Sequence, residues 1–240
     1  MKTSNIIFTL AIVFFFGMLV SYNLELKAAY TKGDFRSPFY GYDKLEFKNF
    51  DKIKINAANA LVVRISGGAE NAVYVNTEVK SKVKVTEFKK VLSIDAKDER
   101  IHDSEEVLII CSDLKEVTTN AIEVSNWNPK TKEMLNKKAA VWNSGTFIHG
   151  FNQDSLNLHV NDYTSVTLER NQIKKIRALV GTKEGAIFTL VDSKIEASDI
   201  NVRGTNYLRI LNTEIQQRKE VLSDSSQITL SGRLIKSRTD

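Results

Sequence analysis

The sequence predicts an all-β chain: a parallel β-solenoid (β-helix) preceded by one N-terminal transmembrane or signal-anchor helix. Three observations predict it. Segments 166–173, 188–195, 208–215 and 228–235 share one template, with apolar first and third positions, a polar turn and a closing isoleucine. The isoleucine step is 22 residues from Ile173 to Ile195, and 20 from Ile195 to Ile215 and from Ile215 to Ile235. A second apolar column, Val160, Val180, Val202 and Leu222, runs in phase with it. A fixed period near 20 with short alternating strands is how stacked β-coils write themselves in sequence. The third observation is an apolar stretch from Ile6 to Val20.

That stretch is long for a signal-peptide core and short for a full span. Extended to Leu24 it reaches bilayer length, with Tyr22 near the interface. No Ala-x-Ala cleavage site follows directly, because Ala28 and Ala29 come only after Glu25 and Lys27. Residues 1–24 therefore read as an uncleaved signal anchor, with a cleaved export signal as the alternative. Both place the remainder outside the cytoplasm. Residues 25–44 read as a linker, with Gly33, Pro38 and Gly41. Its aromatic residues Tyr30, Phe35, Phe39, Tyr40 and Tyr42 are expected to cover the first coil, with a place at the headgroup level as the alternative.

The solenoid is expected over residues 45–235. Ile53, Ile55, Leu61, Val63 and Ile65 carry its spacing around a small-residue turn, Asn56–Ala60. From Ala72 to Thr86 valines alternate with polar residues, the period of one half-buried strand. Lys80, Lys82 and Lys84 would form a basic stripe on its outer face, a common guard against edge pairing; contact with anionic lipid or glycan is the sharper alternative. Strands follow at Val91–Ala96 and Val107–Ser112. Residues 115–138 read as an irregular insert, a projecting loop with a short helix from Thr131 to Lys138. Strands resume at Ala139–Asn143 and Leu156–Val160.

In the repeats, Leu168, Leu190, Ile210 and Leu230 should stack inward in one column, and Val166, Phe188, Leu208 and Ile228 in another. Thr167, Thr189, Arg209 and Thr229 should face out. Asn171, Asp192, Asn212 and Gly232 take the turn positions, where tight backbone geometry is tolerated. Gly181–Gly185 carries two extra residues and reads as a bulged surface corner, free to change without disturbing the core. Arg218 and Glu220 replace the apolar Ile176 and Ala178 of an earlier coil, as in a terminal cap. Residues 236–240 are a tail.

The chain of 240 residues carries 34 basic and 29 acidic side chains, a formal charge of +5. The excess is dispersed, so nothing marks a nucleic-acid partner. Cys111 is the one cysteine and can form no intrachain disulfide; between isoleucines it reads as a small buried hydrophobe. His102, His149 and His159 have no metal-like spacing, and His159 lies on the solvent parity of its strand. Asp162, Asp192, Asp199 and Asp224 are scattered about one per coil. Glycoside cleavage needs two carboxyl groups roughly 5 to 10 Å apart. No catalytic, cofactor-binding or metal-ligating residue is assigned, and no cofactor is expected.

The run Phe50–Gly68, followed by Ala72–Asn76 and the coil series ending near Ile235, resembles the "putative auto-transporter adhesin, head-GIN domain" family of Gram-negative cell envelopes. The resemblance covers residues 45–235, and the 115–138 insert departs from its pattern. It implies a right-handed parallel β-solenoid outside the cytoplasm, with no defined activity.

The expectation is a non-enzymatic, membrane-anchored cell-envelope protein. Its N-terminal helix would cross the inner membrane once, with the solenoid in the periplasm as a scaffold for binding or adhesion to an envelope protein or glycan. A carbohydrate-active enzyme on the same scaffold and a structural spacer in an envelope complex are the alternatives.

Overall fold

The computed structural model describes residues 3–32, 37–97, 106–128, 133–137 and 144–232. The chain divides into two units, Met1–Tyr42 and Asp43–Asp240.

The first unit is built on α1, Thr3–Lys32. The helix continues past Leu24 into the expected linker. Glu25, Leu26, Lys27 and Ala28 are strong helix formers, and no glycine or proline intervenes before Gly33. Within it, Ile6–Ala28 is a 23-residue apolar stretch with no part of it buried, long enough to cross a membrane. An apolar surface on every side is what a lipid environment, and not water, accommodates.

The second unit is mostly β. Its strands are β1 (Tyr42–Leu45), β2 (Lys52–Ile55), β3 (Val62–Gly67), β4 (Ala72–Asn76), β5 (Val83–Phe88), β6 (Val91–Ala96), β7 (Glu106–Cys111), β8 (Glu116–Thr119), β9 (Val124–Asn128) and β10 (Glu133–Lys137). There follow β11 (Gly145–His149), β12 (Asn152–Val160), β13 (Ser165–Glu169), β14 (Gln172–Val180), β15 (Glu184–Val191), β16 (Lys194–Val202), β17 (Thr205–Leu211), β18 (Glu214–Leu222) and β19 (Gln227–Ser231). They form two mixed sheets and a separate hairpin. The first sheet has the order β1-β4-β7-β3-β11-β13-β15-β17-β19, the second β18-β16-β14-β12-β8-β2-β6-β5.

From β11 onward the chain alternates between the sheets, and every pairing is parallel. The first sheet aligns Val166, Phe188, Leu208 and Ile228, and also Leu168, Leu190, Ile210 and Leu230. The second aligns Ile173, Ile195 and Ile215, and Val160, Val180, Val202 and Leu222. These are the columns the repeats predict, and their interior members make one hydrophobic core with Ile53, Leu61, Ile94 and Ile109. Ile235 and the 236–240 tail lie outside the described residues.

Turns between the sheets are also stacked. Gly150, Arg170, Asp192, Asn212 and Gly232 all have positive φ, so the turn column passes through Arg170 and not Asn171. Asn171 is buried instead. Its Oδ1 accepts from the Phe151 N–H at 2.9 Å, and its Nδ2 donates to the carbonyls of Ile148 at 3.0 Å and Glu169 at 3.1 Å. Ser193 and Thr213 continue that column through Asn171 N–H to Ser193 Oγ and Ser193 N–H to Thr213 Oγ1. At the opposite corner Asn161 donates to Asn120, Asn120 to Asn56 and Asn56 to Asp95, a side-chain ladder at 2.7 to 2.9 Å. Each rung pairs polar groups that these buried and half-buried corners would otherwise strand.

The N-terminal half is not a simple succession of coils. β2 lies between β6 and β8, and β3 between β7 and β11. The chain thus builds outward through β4–β7 and returns past β2 to continue at β8. Two pairings here are antiparallel, β4 with β7 and β5 with β6.

Several expectations change. Ala72–Thr86 is two strands in different sheets, because Asn76 Oδ1 accepts from the Glu78 N–H at 2.9 Å and starts a turn over 77–82. Alternation survives the turn because Val79 is buried within it. Lys80, Lys82 and Lys84 therefore form no stripe: Lys80 lies in the turn, 3.0 Å from Asp43, and Lys84 is on β5. Within the insert, β8 is an integral strand of the second sheet, and β9 pairs antiparallel with β10. A short helix over Thr131–Lys138 is thus replaced by the Glu133–Lys137 strand. One or two helical turns carry a high nucleation cost, which a hairpin with Val124–Asn128 avoids. The strand expected at Ala139–Asn143 lies outside the described residues.

Candidate binding face of the second sheet

In β12, β14 and β16, alternation places Leu156, Leu158, Ile176, Ala178 and Ile200 inward and the residues between them outward. Parallel registry then aligns the outward residues into rows. One row runs Lys52, Glu116, Asn157, Arg177, Asp199, Lys219 across six strands. The next runs Lys54, Thr118, His159, Leu179, Asn201, Val221. At about 4.8 Å per strand, six strands extend the row over about 24 Å.

Charges along the first row alternate, and neighbours pair. Lys52 Nζ is 3.2 Å from Glu116, and Lys219 Nζ is 3.7 Å from Asp199. Exposed pairs of this kind contribute little to stability, so a partner can replace them at small cost. Around Arg177 lies a shallow depression of about 410 Å³, lined by Glu116, Asn157, His159, Arg177, Asp199 and Asn201 among others. Glu116 and Asp199 lie three strands apart, about 14 Å, beyond the separation that paired carboxyl catalysis uses.

Nearer the strand starts each coil turns a corner. Lys174 and Lys175 are both exposed between buried Ile173 and Ile176. A second depression of about 270 Å³ lies here, lined by amides and charges that include Asn152, Gln153, Gln172, Lys174, Glu196 and Glu214. Lys174 donates to Asp154 at 2.8 Å, and this hydrogen bond and charge hold its ammonium above the ordinary lysine range. Glu196 and Glu214 are both exposed to water.

The remaining sequence candidates are dispersed. Asp162 caps a corner, accepting from the Thr182 N–H and hydroxyl at 2.7 Å and the Lys183 N–H at 2.9 Å. Burial pushes its carboxyl upward, but these donors outweigh that and hold it below the usual range. Asp192 sits in the turn column and accepts from Asn212. Asp224 lies in an exposed turn, and His149 ends β11 exposed. His102 lies outside the described residues. Among the described residues no group of three or more His, Cys, Asp and Glu could hold a metal. Cys111 is fully buried; burial pushes its thiol up to about 11, which makes it unreactive at neutral pH.

No protein-family model and no curated protein matches the chain. Solved structures do resemble it. One, described as a "putative adhesin" from Bacteroides fragilis, is 12% identical over 79% of this chain and 96% of its own, with a TM-score of 0.37. Another, a "putative adhesin" from Parabacteroides merdae, is 10% identical over 80% and 95%, at 0.32. A third, a "putative lipid binding protein" from Parabacteroides distasonis, is 8% identical over 80% and 96%, at 0.35.

Proposed function

We propose that this chain is a non-enzymatic, membrane-anchored cell-envelope protein of the head-GIN type. Its second unit acts as a right-handed parallel β-solenoid that binds an extended protein or glycan partner along the outer face of the second sheet. The observation that carries this reading is the Lys52–Lys219 row, in which six strands present alternating charges and an amide in register. Such a face matches a partner with repeating polar groups better than it matches a small substrate, which would need a deep and largely apolar pocket. The unbroken parallel pairing from β11 to β19 supports the solenoid, and the general handedness of parallel crossovers supplies its hand. The apolar stretch Ile6–Ala28 supports a single crossing of the inner membrane, with the β unit in the periplasm.

The test is binding by detergent-solubilised full chain to fractionated envelope polysaccharides and membrane proteins. Arg177→Glu combined with Asp199→Arg should weaken binding at least about tenfold, since misplaced charges in a row cost about 1.4 kcal/mol or more. Both side chains reach solvent, so the fold should persist. Unchanged binding would move the site off this face, and shortening of the polysaccharide would replace the binding protein with a carbohydrate-active enzyme.

A further inference from the structure

At the end of the β unit where the chain enters from α1, the first sheet ends in β1 and the second in β5. The two ends are tied together. Lys80 pairs with Asp43 at 3.0 Å, and Glu87 Oε2 accepts from the N–H groups of Lys48 at 3.2 Å and Asn49 at 3.3 Å. The β5–β6 hairpin therefore lies at the same end of the β unit as β1.

The tip of that hairpin is Phe88-Lys89-Lys90, and it breaks two rules at once. Phe88 is 71% exposed, more than any other large apolar side chain described in the β unit. Lys89 and Lys90 have φ of 47° and 66°, the left-handed pair that a two-residue turn demands. Asn-Gly or Asp-Gly satisfies that demand without strain, and lysine does not. The tip thus gives up both burial and turn stability to keep an aromatic ring beside two cations. Lys89 Nζ lies 5.2 Å from the Phe88 ring centroid, and Lys84 is also exposed on the same strand. An apolar ring flanked by lysines is the chemistry that settles at an anionic bilayer surface, with the ring among acyl chains and the ammoniums at the phosphates.

We propose that the Phe88–Lys90 hairpin is a second membrane contact that docks the β unit on the anionic leaflet its own helix crosses. This rests on the membrane anchoring proposed above and adds an orientation: the β5–β6 end lies on the lipid.

The experiment reconstitutes the full chain in vesicles of neutral phosphatidylcholine, or with about 30% phosphatidylglycerol, each containing brominated lipid. Phe88→Trp reports the tip after subtraction of the parent's tryptophan signal. In anionic vesicles the added emission should shift to the blue and be quenched; in neutral vesicles it should remain water-like and unquenched. Adding Lys89→Asn and Lys90→Gly, which removes both charges while supplying ideal turn residues, should abolish the quenching without harming the fold. A tip signal equal in both lipids, or unmoved by that charge removal, would overturn the contact. Co-flotation of each variant with vesicles scores the anchor separately: flotation without quenching sinks only the hairpin contact, and loss of flotation sinks the anchor along with it.

Discussion

Leu190 and Thr189 are neighbours in β15 on opposite faces of the sheet. Leu190 stacks between Leu168 and Ile210 and is wholly buried. Thr189, expected to be exposed, retains only 8% of its surface, flanked in register by Thr167 and Arg209. Outward-facing is thus not the same as solvated when parallel strands place side chains about 4.8 Å apart. The two still differ in what lies behind them. Leu190→Ala should destabilise the chain by about 2–5 kcal/mol, because a core cavity adds to the lost transfer energy. Thr189→Ala removes one methyl and one hydroxyl from a covered outer face and should cost no more than about 1 kcal/mol. Denaturant midpoints of the two variants check this, and equal losses would place Thr189 in the core.

Among elements, the corner between β14 and β15 lies at the surface as expected, but its backbone is tied into the stack. Thr182 and Lys183 are exposed, but their N–H groups are held by Asp162. Gly181 and Gly204 both have φ of 62°; a side chain at the first would collide with Asn206, and at the second with the Lys183 carbonyl. Asn206 Oδ1 accepts from the buried Ala186 N–H at 2.6 Å, and the Thr205 N–H donates to Lys183 at 2.6 Å. Deleting Thr182 and Lys183 should therefore lower the melting temperature sharply. Asp162→Ala should cost about 1–2 kcal/mol at neutral pH, the range for hydrogen bonds to a charged group lessened by partial exposure. Its carboxyl is held below its ordinary value in the fold. The contribution is therefore complete above the unfolded carboxyl pKa of about 4 and fades as pH falls through the lower folded value. Melting of wild type and Asp162→Ala at neutral and strongly acidic pH should show the gap narrowing in acid. A gap that stays constant would assign the loss to packing.

The columns through Leu190 and Ile195 could be read because each strand pairs with one 20 or 22 residues away, so spatial register is also a sequence period. β3 pairs with both β7 and β11, at separations that no period records. The break between β4 and β5 was hidden because Val79 keeps the alternation of a continuous strand while sitting in a turn. Of the candidate face, the sequence singled out only Asp199, as one of four scattered carboxylates, although the alternation of β14 also puts Arg177 on the solvent side. Their place in one row with Lys52 depends on β2 and β8 being neighbours, which only the fold provides.

At the scale of the whole molecule, one apolar helix precedes a unit whose apolar residues are almost all enclosed. Ile6–Ala28 exposes phenylalanine, isoleucine and leucine on every side, which in water would be a strong liability. Nothing in the described β unit is a second helix of that kind, so the proposed single crossing would leave that unit on one side. The proposed anchor keeps this helix, in line with the lack of an Ala-x-Ala site directly after the apolar stretch. A helix of 30 residues spans about 45 Å, enough for the hydrocarbon core and both interfaces. The full-length chain should therefore stay in the membrane fraction after a carbonate wash, and protease added to spheroplasts should digest the β unit. A mature chain beginning near Tyr22 in the soluble periplasm would instead make the helix an export signal, and the β unit would then meet its partner unanchored.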